Sequence, residues 1–294
     1  MKRCPGCSAT YTSVDWVCPA CSFEPPRAGN IPILAPELAN GGAGFPPGAF
    51  SQLAAVEAAS FWFRARNQLI IWAMRRHLPD MRRYLEIGCG TGYVLAGVTE
   101  AYPQASITGS EVFTVGLPYA ASRVKKAELL QMDARRIPYV EEFDVIGAFD
   151  VLEHIEEDET VLAEMLRALR PDGGIAITVP QHPWLWSQQD ETACHVRRYR
   201  VGEMREKVLR AGFKVEFETS FVSLLLPAMI ASRMAKRKER AGRVKRTMSE
   251  LRLPTLVNRV FEGVMNVERQ IIRLGMRFPV GGSLLLIARK PEVA

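Results

Sequence analysis

The stretch YLEIGCGTGYVL at residues 84–95 constrains the fold of this 294-residue chain more than any other. An apolar strand pattern ends in Gly88, Gly90 and Gly92, and a helical pattern follows. Glycine lets the backbone adopt positive φ angles and approach a ligand closely, and a new helix offers free N–H donors to an anionic group. Glu111 follows about 20 residues later, where an acid can accept both hydroxyls of a ribose. The spacing predicts a nucleoside or dinucleotide site.

Strand and helix patterns alternate around this stretch. Strands are predicted at residues 84–88, 106–112, 127–134, 174–180, 213–220 and 283–290, and another begins at 143. Helices are predicted from about 51 to 76, at 94–102, from 113 to about 126, at 157–170 and at 201–211. The alternation predicts an α/β fold, with a Rossmann-like, doubly wound sheet of seven mostly parallel strands.

The domain organisation follows from shifts in composition. Residues 1–23 form a cysteine module, and residues 24–49, rich in Pro, Gly and Ala, are interpreted as a linker. The α/β domain is predicted to span residues 50–294, with a helical insertion at about 221–282 before the last strand.

Three details favour S-adenosylmethionine over a dinucleotide. The glycines follow a G-x-G-x-G pattern, whereas the dinucleotide fingerprint is G-x-G-x-x-G. Glu86 lies inside the end of the first strand, where it can face the ligand's ammonium group. Asp133 and Ala134 close the third strand, where an acid can meet the adenine amino group.

The ordered motifs EIGCGTG, SEV, MDA and FDVLEHI resemble the class I S-adenosylmethionine-dependent methyltransferases over residues 80–220. The resemblance implies that Glu86, Gly88, Gly90 and Gly92 hold the methionine part of the cofactor. It also implies that Glu111 binds the ribose and that Asp133 and Ala134 border the adenine. The sequence therefore predicts an enzyme that transfers a methyl group.

Residues after the fourth strand are the candidates for catalysis. Methyl transfer to a hydroxyl requires aligned reactants and a base for the hydroxyl proton. Asp150 and His154 lie beside the expected methyl position, so Asp150 is predicted to contact the cofactor and His154 is a candidate base. The alternative is that Glu153 and His154 only cap and orient the next helix.

The loop PQHPWLWSQQDETACHVRRYR at residues 180–200 leaves the edge where such sheets bind ligands. Aromatic side chains can wall an apolar pocket, and neighbouring arginines can bind a carboxylate or phosphate. The residues expected to contact the acceptor are Trp184, Trp186, His195, Arg197, Arg198 and Tyr199. The alternative is a lid held by ordinary salt bridges. The aromatic run of FWFRARN at residues 61–67 can fold over the same pocket or belong to the core.

The motifs FWFRARN, PQHPWLW, HVRRY and GGSLLLIARKP together resemble a bacterial subgroup of these methyltransferases. Its members are similar to quinone-biosynthesis O-methyltransferases and to enzymes found beside glycan and lipid assembly. The acceptor does not follow from this resemblance. The leading prediction from the whole sequence is transfer to a small or lipid-like acceptor at oxygen, with the insertion and the 181–200 loop forming its site.

The insertion combines an apolar stretch, residues 221–230, with a basic one, residues 233–246, where eight Lys and Arg accompany one Glu. This combination is typical of an element that binds an anionic membrane surface. RNA phosphates are an alternative partner, and a solvated helix beside a buried one is another. The chain carries no signal-peptide pattern and no long apolar run, which predicts a cytoplasmic protein, with the inner face of the membrane as a further candidate location.

Cys4, Cys7, Cys18 and Cys21 have the C-x2-C-x10-C-x2-C spacing that resembles short zinc ribbons. Four thiolates close a tetrahedral site, so the predicted Zn²⁺ is structural. Some rRNA methyltransferases carry a similar module, which makes RNA the second hypothesis for the acceptor. Against it, no Lys or Arg lies between Cys4 and Cys21. A third hypothesis is a non-catalytic adaptor whose ribbon docks a protein partner.

Overall fold

The computed structural model describes residues 1–40, 48–239 and 253–292, and only the backbone of residues 234–239. The strands are β1 Lys2–Arg3, β2 Thr10–Tyr11, β3 Arg27–Ala28, β4 Ile31–Pro32, β5 Arg83–Ile87, β6 Ser106–Glu111, β7 Glu128–Gln131, β8 Phe143–Phe149, β9 Leu169–Pro180, β10 Lys214–Phe221 and β11 Ser283–Arg289. The helices are α1 Ala49–Val56, α2 Phe61–His77, α3 Tyr93–Ala101, α4 Leu117–Arg123, α5 Asp158–Ala168, α6 Gln188–Thr192, α7 Glu203–Arg210, α8 Leu226–Glu239 and α9 Thr255–Arg273.

A seven-stranded sheet forms the centre of the molecule, in the order β10-β11-β9-β8-β5-β6-β7. β11 is antiparallel to both neighbours, and the remaining pairs are parallel. The predicted doubly wound, mostly parallel sheet is therefore confirmed. Since the parallel strands end at one edge of the sheet, the segments after β5, β6, β7 and β8 converge there. We call this the carboxyl edge.

Apolar layers cover both faces of the sheet. On one face α2 and α3 bury residues such as Ile70 and Leu95, and on the other α5 and α7 bury residues such as Leu162 and Val208. Each fully buried side chain of this size stabilises the fold by roughly 1.5–3 kcal/mol. These two layers hold the carboxyl edge in place.

The single helix predicted from 51 to 76 is two helices, α1 and α2, which corrects that expectation. Ser60 is extended, with φ −82° and ψ 129°. Asn258 of α9 accepts a hydrogen bond from the Phe61 N–H (2.8 Å) and donates one to the Ala59 carbonyl (2.9 Å). A distant side chain therefore ends one helix and begins the next, which local periodicity does not reveal.

Residues 24–40, expected to be part of a linker, are bound along the outer strand β7. The Gln131 side chain accepts a hydrogen bond from Ala35 N–H (2.9 Å) and donates one to the Ala35 carbonyl (2.7 Å). Leu34 N–H also donates to the Gln131 carbonyl. Residues 41–47 lie outside the described part. The domain boundaries at 23 and 49 stay predictions.

The cysteine module lies against the segment that precedes β8. Arg3 N–H donates to the Pro138 carbonyl at 2.9 Å, and Lys2 forms an antiparallel bridge with Tyr139. Trp16 is buried and meets Tyr139 edge-on, with ring centroids 5.5 Å apart. The module therefore lies at the edge where the parallel strands begin, opposite the carboxyl edge. We call the edge where the parallel strands begin the amino edge.

The insertion contains α8 and α9, and α9 packs on α2. The Phe61 and Phe261 rings are 5.4 Å apart, and Arg64 pairs with Glu262 at 2.7 Å. Of the predicted basic residues, Arg240, Arg243, Lys245 and Arg246 lie outside the described residues, as do the side chains of 236–238. Within the described residues, no helix is both long enough and apolar enough to span a bilayer.

Candidate cofactor and acceptor site

The glycine loop after β5 is a compressed turn with positive φ angles at Gly88 (64°), Gly90 (54°) and Gly92 (77°). A Cβ atom on Gly92 would lie 2.9 Å from the Cα of Ala120, and one on Gly88 only 2.5 Å from the Val151 side chain. At Gly88 and Gly92, a residue with a side chain would be disfavoured both by the positive φ angle and by the close contact of its Cβ atom. Gly92 is the N-cap of α3, so the helix begins directly after the glycine loop.

Glu111 joins the ends of β5 and β6. Its carboxylate accepts hydrogen bonds from Gly90 N–H at 3.0 Å and from Phe113 N–H at 3.2 Å. Burial raises its pKa, and the three backbone N–H groups around it oppose this shift. The structure thus brings together the glycine loop and the acid predicted to bind ribose.

Glu86 is buried in β5, next to the loop. Its carboxylate accepts a hydrogen bond from the Tyr84 hydroxyl at 3.1 Å. Desolvation by burial raises its pKa to about 8, while Tyr84 and the charge of Arg66 act in the opposite direction. A carboxyl group with this pKa is mostly protonated at neutral pH. A cationic ligand group beside it would stabilise the ionised form.

Asp133 lies after β7 at the same edge, as predicted. It caps the short 3-10 turn Ala134–Arg136 by accepting from the Arg135 N–H at 2.9 Å, and it also pairs with the Arg135 guanidinium at 3.0 Å. Its carboxylate is thus engaged with Arg135, and the contact of Asp133 and Ala134 with adenine stays a prediction.

Asp150 follows β8 with a positive φ of 56°, a strained conformation for a residue other than glycine. Its carboxylate pairs with the buried guanidinium of Arg66 at 2.7 Å and accepts from the Thr178 hydroxyl at 3.2 Å. Sequence reasoning missed Arg66, although it lies within the FWFRARN motif. The available signal was that Arg66 shares the buried face of α2 with Leu69 and Ile70, three and four residues later.

His154 lies beside Glu153 and His195. Its ring centroid is 4.7 Å from that of His195. Burial and the neighbouring His195 lower its pKa to about 4, so the ring is neutral at physiological pH. Its role as a base stays a prediction. Glu153 is fully buried, and desolvation together with the charge of Asp150 raises its pKa well above the usual value.

The loop at 180–200 differs in part from expectation. Tyr199 is fully buried and donates its hydroxyl proton to Asp158 at 2.8 Å, so its side chain is enclosed by the protein and does not contact an acceptor. Arg197 also binds Asp158 (2.8 Å), and Arg198 binds Asp190 (2.6 Å). The arginines expected to hold an acceptor anion therefore hold the protein's own carboxylates, because both acids are buried and need partners.

Trp184 and Trp186 remain available to an acceptor, since they are 61% and 39% exposed. His182 stacks at a tilt on Trp184 with centroids 5.2 Å apart. His195 is held by Asp190, whose carboxylate lies 3.0 Å from Nδ1. These residues line the carboxyl edge as expected, and their contact with an acceptor stays a prediction.

Comparison with known proteins identifies the central part of the chain. Residues 85–177, from β5 into β9, match a family described as a methyltransferase domain. These residues therefore form a class I S-adenosylmethionine-dependent methyltransferase domain. The match covers the glycine loop, Glu111, Asp133 and Asp150, so these site residues belong to the methyltransferase domain proper.

Two curated relatives illustrate the range of similarity. A trans-aconitate 2-methyltransferase of Azoarcus sp. (strain BH72) is 32% identical over 105 residues, 36% of this chain and 42% of that protein. A probable S-adenosylmethionine-dependent methyltransferase of Mycolicibacterium smegmatis is 24% identical over 160 residues, 53% of this chain and 61% of that protein. The chain thus spans about half the length of these relatives.

Among solved structures, the [4+2]-cyclase SpnF aligns with a TM-score of 0.54 at 22% identity, covering 81% of this chain and 85% of SpnF. At this identity the likeness shows the fold alone. SpnF is named as a cyclase, so the methyltransferase fold by itself does not determine the reaction.

Helix α1 covers the cofactor loop of the methyltransferase domain, which the sequence did not indicate. The Phe50 ring lies 4.0 Å from the position of a Cβ on Gly90 and meets Phe113 edge-on. Glu57, just after α1, accepts from the Thr91 hydroxyl at 2.6 Å and pairs with Arg123 at 2.8 Å. These contacts fasten the segment before the methyltransferase domain onto its glycine loop.

The four cysteines of the amino-terminal module converge as predicted. Sγ of Cys4 lies 3.6 Å from Sγ of Cys21, and Sγ of Cys7 lies 3.7 Å from Sγ of Cys18. Tetrahedral zinc with Zn–S bonds of about 2.3 Å requires sulfur atoms about 3.8 Å apart. The cluster fits structural Zn²⁺, with all four positions filled by protein.

Proposed function

We propose that this protein transfers the methyl group of S-adenosylmethionine to a hydroxyl oxygen of a small or lipid-like acceptor. The observation that carries the proposal is the hydrogen bond between Glu111 and Gly90, which joins the two motifs expected to bind the cofactor. The cofactor would supply a methyl group bonded to a positively charged sulfur. Glu86 and the glycine loop would hold its methionine part, and Glu111 its ribose.

The residues after β8 would position the acceptor. In-line displacement requires the acceptor oxygen, the methyl carbon and the sulfur to be aligned. Arg66 and Thr178 hold the Asp150 carboxylate at this edge. His154 is the candidate that takes the hydroxyl proton. Trp184 and Trp186 would wall the apolar part of the acceptor.

The position of the zinc module supports a small acceptor over RNA. The module binds the segment before β8 at the amino edge, while the glycine loop and Glu111 lie at the carboxyl edge. A nucleic acid held by the module would have to extend around the domain to reach the methyl group. A stabilising or protein-docking role for the module fits this arrangement better.

The insertion supports a membrane surface as a partner. Residues 221–282 contain 13 Lys and Arg against four Glu, whereas the whole chain has a formal charge of +6. The rest of the chain is therefore net negative. Of the four acids, Glu262 is paired with Arg64, and Glu268 accepts backbone hydrogen bonds from Val222 and Ser223.

Apolar side chains are also exposed on α9 beside these charges. Leu256, Val260 and Val267 are 74%, 55% and 55% exposed and recur at helical spacing. Apolar and cationic residues together favour an anionic lipid surface. Flotation with vesicles containing phosphatidylglycerol tests this proposal: binding that disappears in Leu256→Glu/Val260→Glu supports it, and no binding at moderate salt removes it.

One labelling experiment separates the candidate functions. The protein is incubated with methyl-labelled S-adenosylmethionine and a cell extract, and the label is then measured in lipid, small-molecule, RNA and protein fractions. Label in the lipid or small-molecule fraction supports the proposal. Label in RNA would replace it with RNA methylation, and cofactor binding without any transfer would favour the adaptor. Asp150→Asn serves as the inactive control.

A further inference from the structure

We propose that Glu153, His154 and His195 bind one divalent transition-metal cation at the carboxyl edge. One ligand atom from each side chain lies within 4.8 Å of the other two. Two imidazoles and one carboxylate suit Mn²⁺, Fe²⁺, Co²⁺ or Zn²⁺, and three protein ligands leave positions open for water or an acceptor. The chemical consequence rests on the methyl transfer proposed above, whereas the binding itself does not.

The Glu153 carboxylate points to a missing cationic partner. Its side chain is fully buried, and neither oxygen has a hydrogen-bond partner among the described residues. An unpartnered buried carboxylate is costly, so such groups are normally paired or bound to a metal. The His195 Nε2 atom is 3.9 Å away, too far for a hydrogen bond. A cation between these groups would satisfy both.

The neighbouring arginines do not fill this role. Arg66 is engaged by Asp150 at 2.7 Å, and the Arg198 Nε atom is engaged by Asp190 at 2.6 Å. Both guanidinium groups thus have carboxylate partners of their own. Among the described residues, no Lys or Arg lies within ion-pair distance of the Glu153 carboxylate.

His195 has the orientation of a metal ligand. Its Nδ1 donates to the Asp190 carboxylate at 3.0 Å, which leaves Nε2 with a lone pair on the side that faces Glu153. Ser187 and Arg198 fix Asp190 in turn. Such a carboxylate–histidine pair is the usual outer support of a metal-bound imidazole. The nearly perpendicular His154 and His195 rings, at 87°, are adjacent, so both can reach one ion.

This site differs from the cysteine cluster in both chemistry and place. Thiolates select zinc, whereas nitrogen and oxygen ligands also bind Mn²⁺. The cysteines lie at the amino edge, and Glu153 follows β8 at the carboxyl edge. Mn²⁺ can therefore probe this site while zinc occupies the other.

A cation here would activate the acceptor. Bound to the acceptor oxygen, it lowers the pKa of the hydroxyl, and the proton leaves to water. The oxygen then forms a bond to the methyl carbon while the carbon–sulfur bond breaks and its electrons stay on sulfur. In this arrangement His154 binds the cation and does not take the proton.

The test uses the full chain loaded with one zinc per chain, so that zinc fills the cysteine cluster and the site at the carboxyl edge is free for Mn²⁺. This protein, without cofactor or acceptor, is titrated with Mn²⁺ and followed by electron paramagnetic resonance. We expect one Mn²⁺ per wild-type chain. Glu153→Gln and His195→Gln should each weaken binding at least about 10-fold. Glu156→Gln, an exposed glutamate three residues away, is the matched control and should bind as wild type does.

Thermal unfolding provides a second readout that does not depend on activity. Mn²⁺ should raise the Tm of wild type and of Glu156→Gln but not of Glu153→Gln. No binding at millimolar Mn²⁺, or equal binding by wild type and Glu153→Gln, would overturn the proposal and leave Glu153 and His195 as a buried proton-sharing pair. Because no methyl donor is present, this result is independent of the labelling experiment.

Discussion

The two edges of one sheet are built in different ways. At the amino edge, the cysteine module closes the strands with a β-bridge to Tyr139, the Arg3–Pro138 hydrogen bond and the buried Trp16. At the carboxyl edge, buried acids and positive φ angles accumulate at residues such as Glu86 and Asp150. Satisfied contacts stabilise, whereas strained and desolvated groups are costly and persist at sites that bind ligands. The comparison assigns stability to the first edge and chemistry to the second.

Removing zinc should have the largest effect, and only at the amino edge. Cys18→Ser should abolish zinc binding, whose apparent free energy in small modules is about 10–16 kcal/mol, and unfold the module. Trp16, which is 3% exposed, should then shift its fluorescence to the red.

The Kd for S-adenosylmethionine should change less than about twofold, because the module makes none of the contacts seen at the glycine loop. Thr12→Ser is the control within the module. If cofactor affinity fell together with zinc content, the amino edge would contribute to cofactor binding and the two edges would not be independent.

Gly92→Ala should have the next largest effect, at the carboxyl edge. The added Cβ would lie 2.9 Å from the Cα of Ala120, and φ is 77°. Gly275→Ala is a matched control, since φ is 99° there but no heavy atom lies within 4 Å. Both should lose about 1–2 kcal/mol of stability from backbone strain.

Only Gly92→Ala should also weaken cofactor binding, by at least about 10-fold, as measured by isothermal titration calorimetry. Equal cofactor affinity in the two variants would show that the glycine loop does not shape the cofactor site.

Glu111→Gln should weaken cofactor binding by about 10- to 150-fold. Hydrogen bonds to a charged group contribute about 1.5–3 kcal/mol, and the amide can no longer accept two ribose hydroxyls. Equilibrium binding of S-adenosylhomocysteine measures the effect, with Glu100→Gln on exposed α3 surface as the control. An unchanged Kd would remove Glu111 from the site.

The smallest expected effect is the release of a proton when the cofactor binds. Burial gives Glu86 a pKa of about 8, so it is mostly protonated at pH 7 in the free protein. A cofactor ammonium beside it would lower that pKa, and binding should release nearly one proton at pH 7 and progressively less above about pH 8. Calorimetry in buffers of different ionisation enthalpy counts the proton. Glu86→Gln should release none, and proton uptake by wild type would contradict this placement.

The sequence predicted the carboxyl edge well because its signals are local. The G-x-G-x-G turn, Glu111 and Asp133 each end a strand, and parallel strands must end together. Positive φ at three glycines follows from the same short motif. The convergence of the four cysteines was equally predictable, since the two Cys-x2-Cys pairs are local signals.

What the sequence did not predict depends on distant partners. Asn258 separates α1 from α2 across nearly 200 positions, and Gln131 binds Ala35 from 96 positions away. Tyr199 was expected to contact the acceptor, but it is fully buried and its hydroxyl donates a hydrogen bond to Asp158. Arg66 was hidden because only the fold shows that Asp150 lies next to it.

Hydrogen–deuterium exchange with and without S-adenosylhomocysteine tests the division of the two edges most directly. The account predicts slower exchange of backbone amides at residues 88–93 and 111–113 when the cofactor product binds. Exchange within residues 1–23 should not change. Protection that appears in the cysteine module, or none at the glycine loop despite measurable binding, would contradict it.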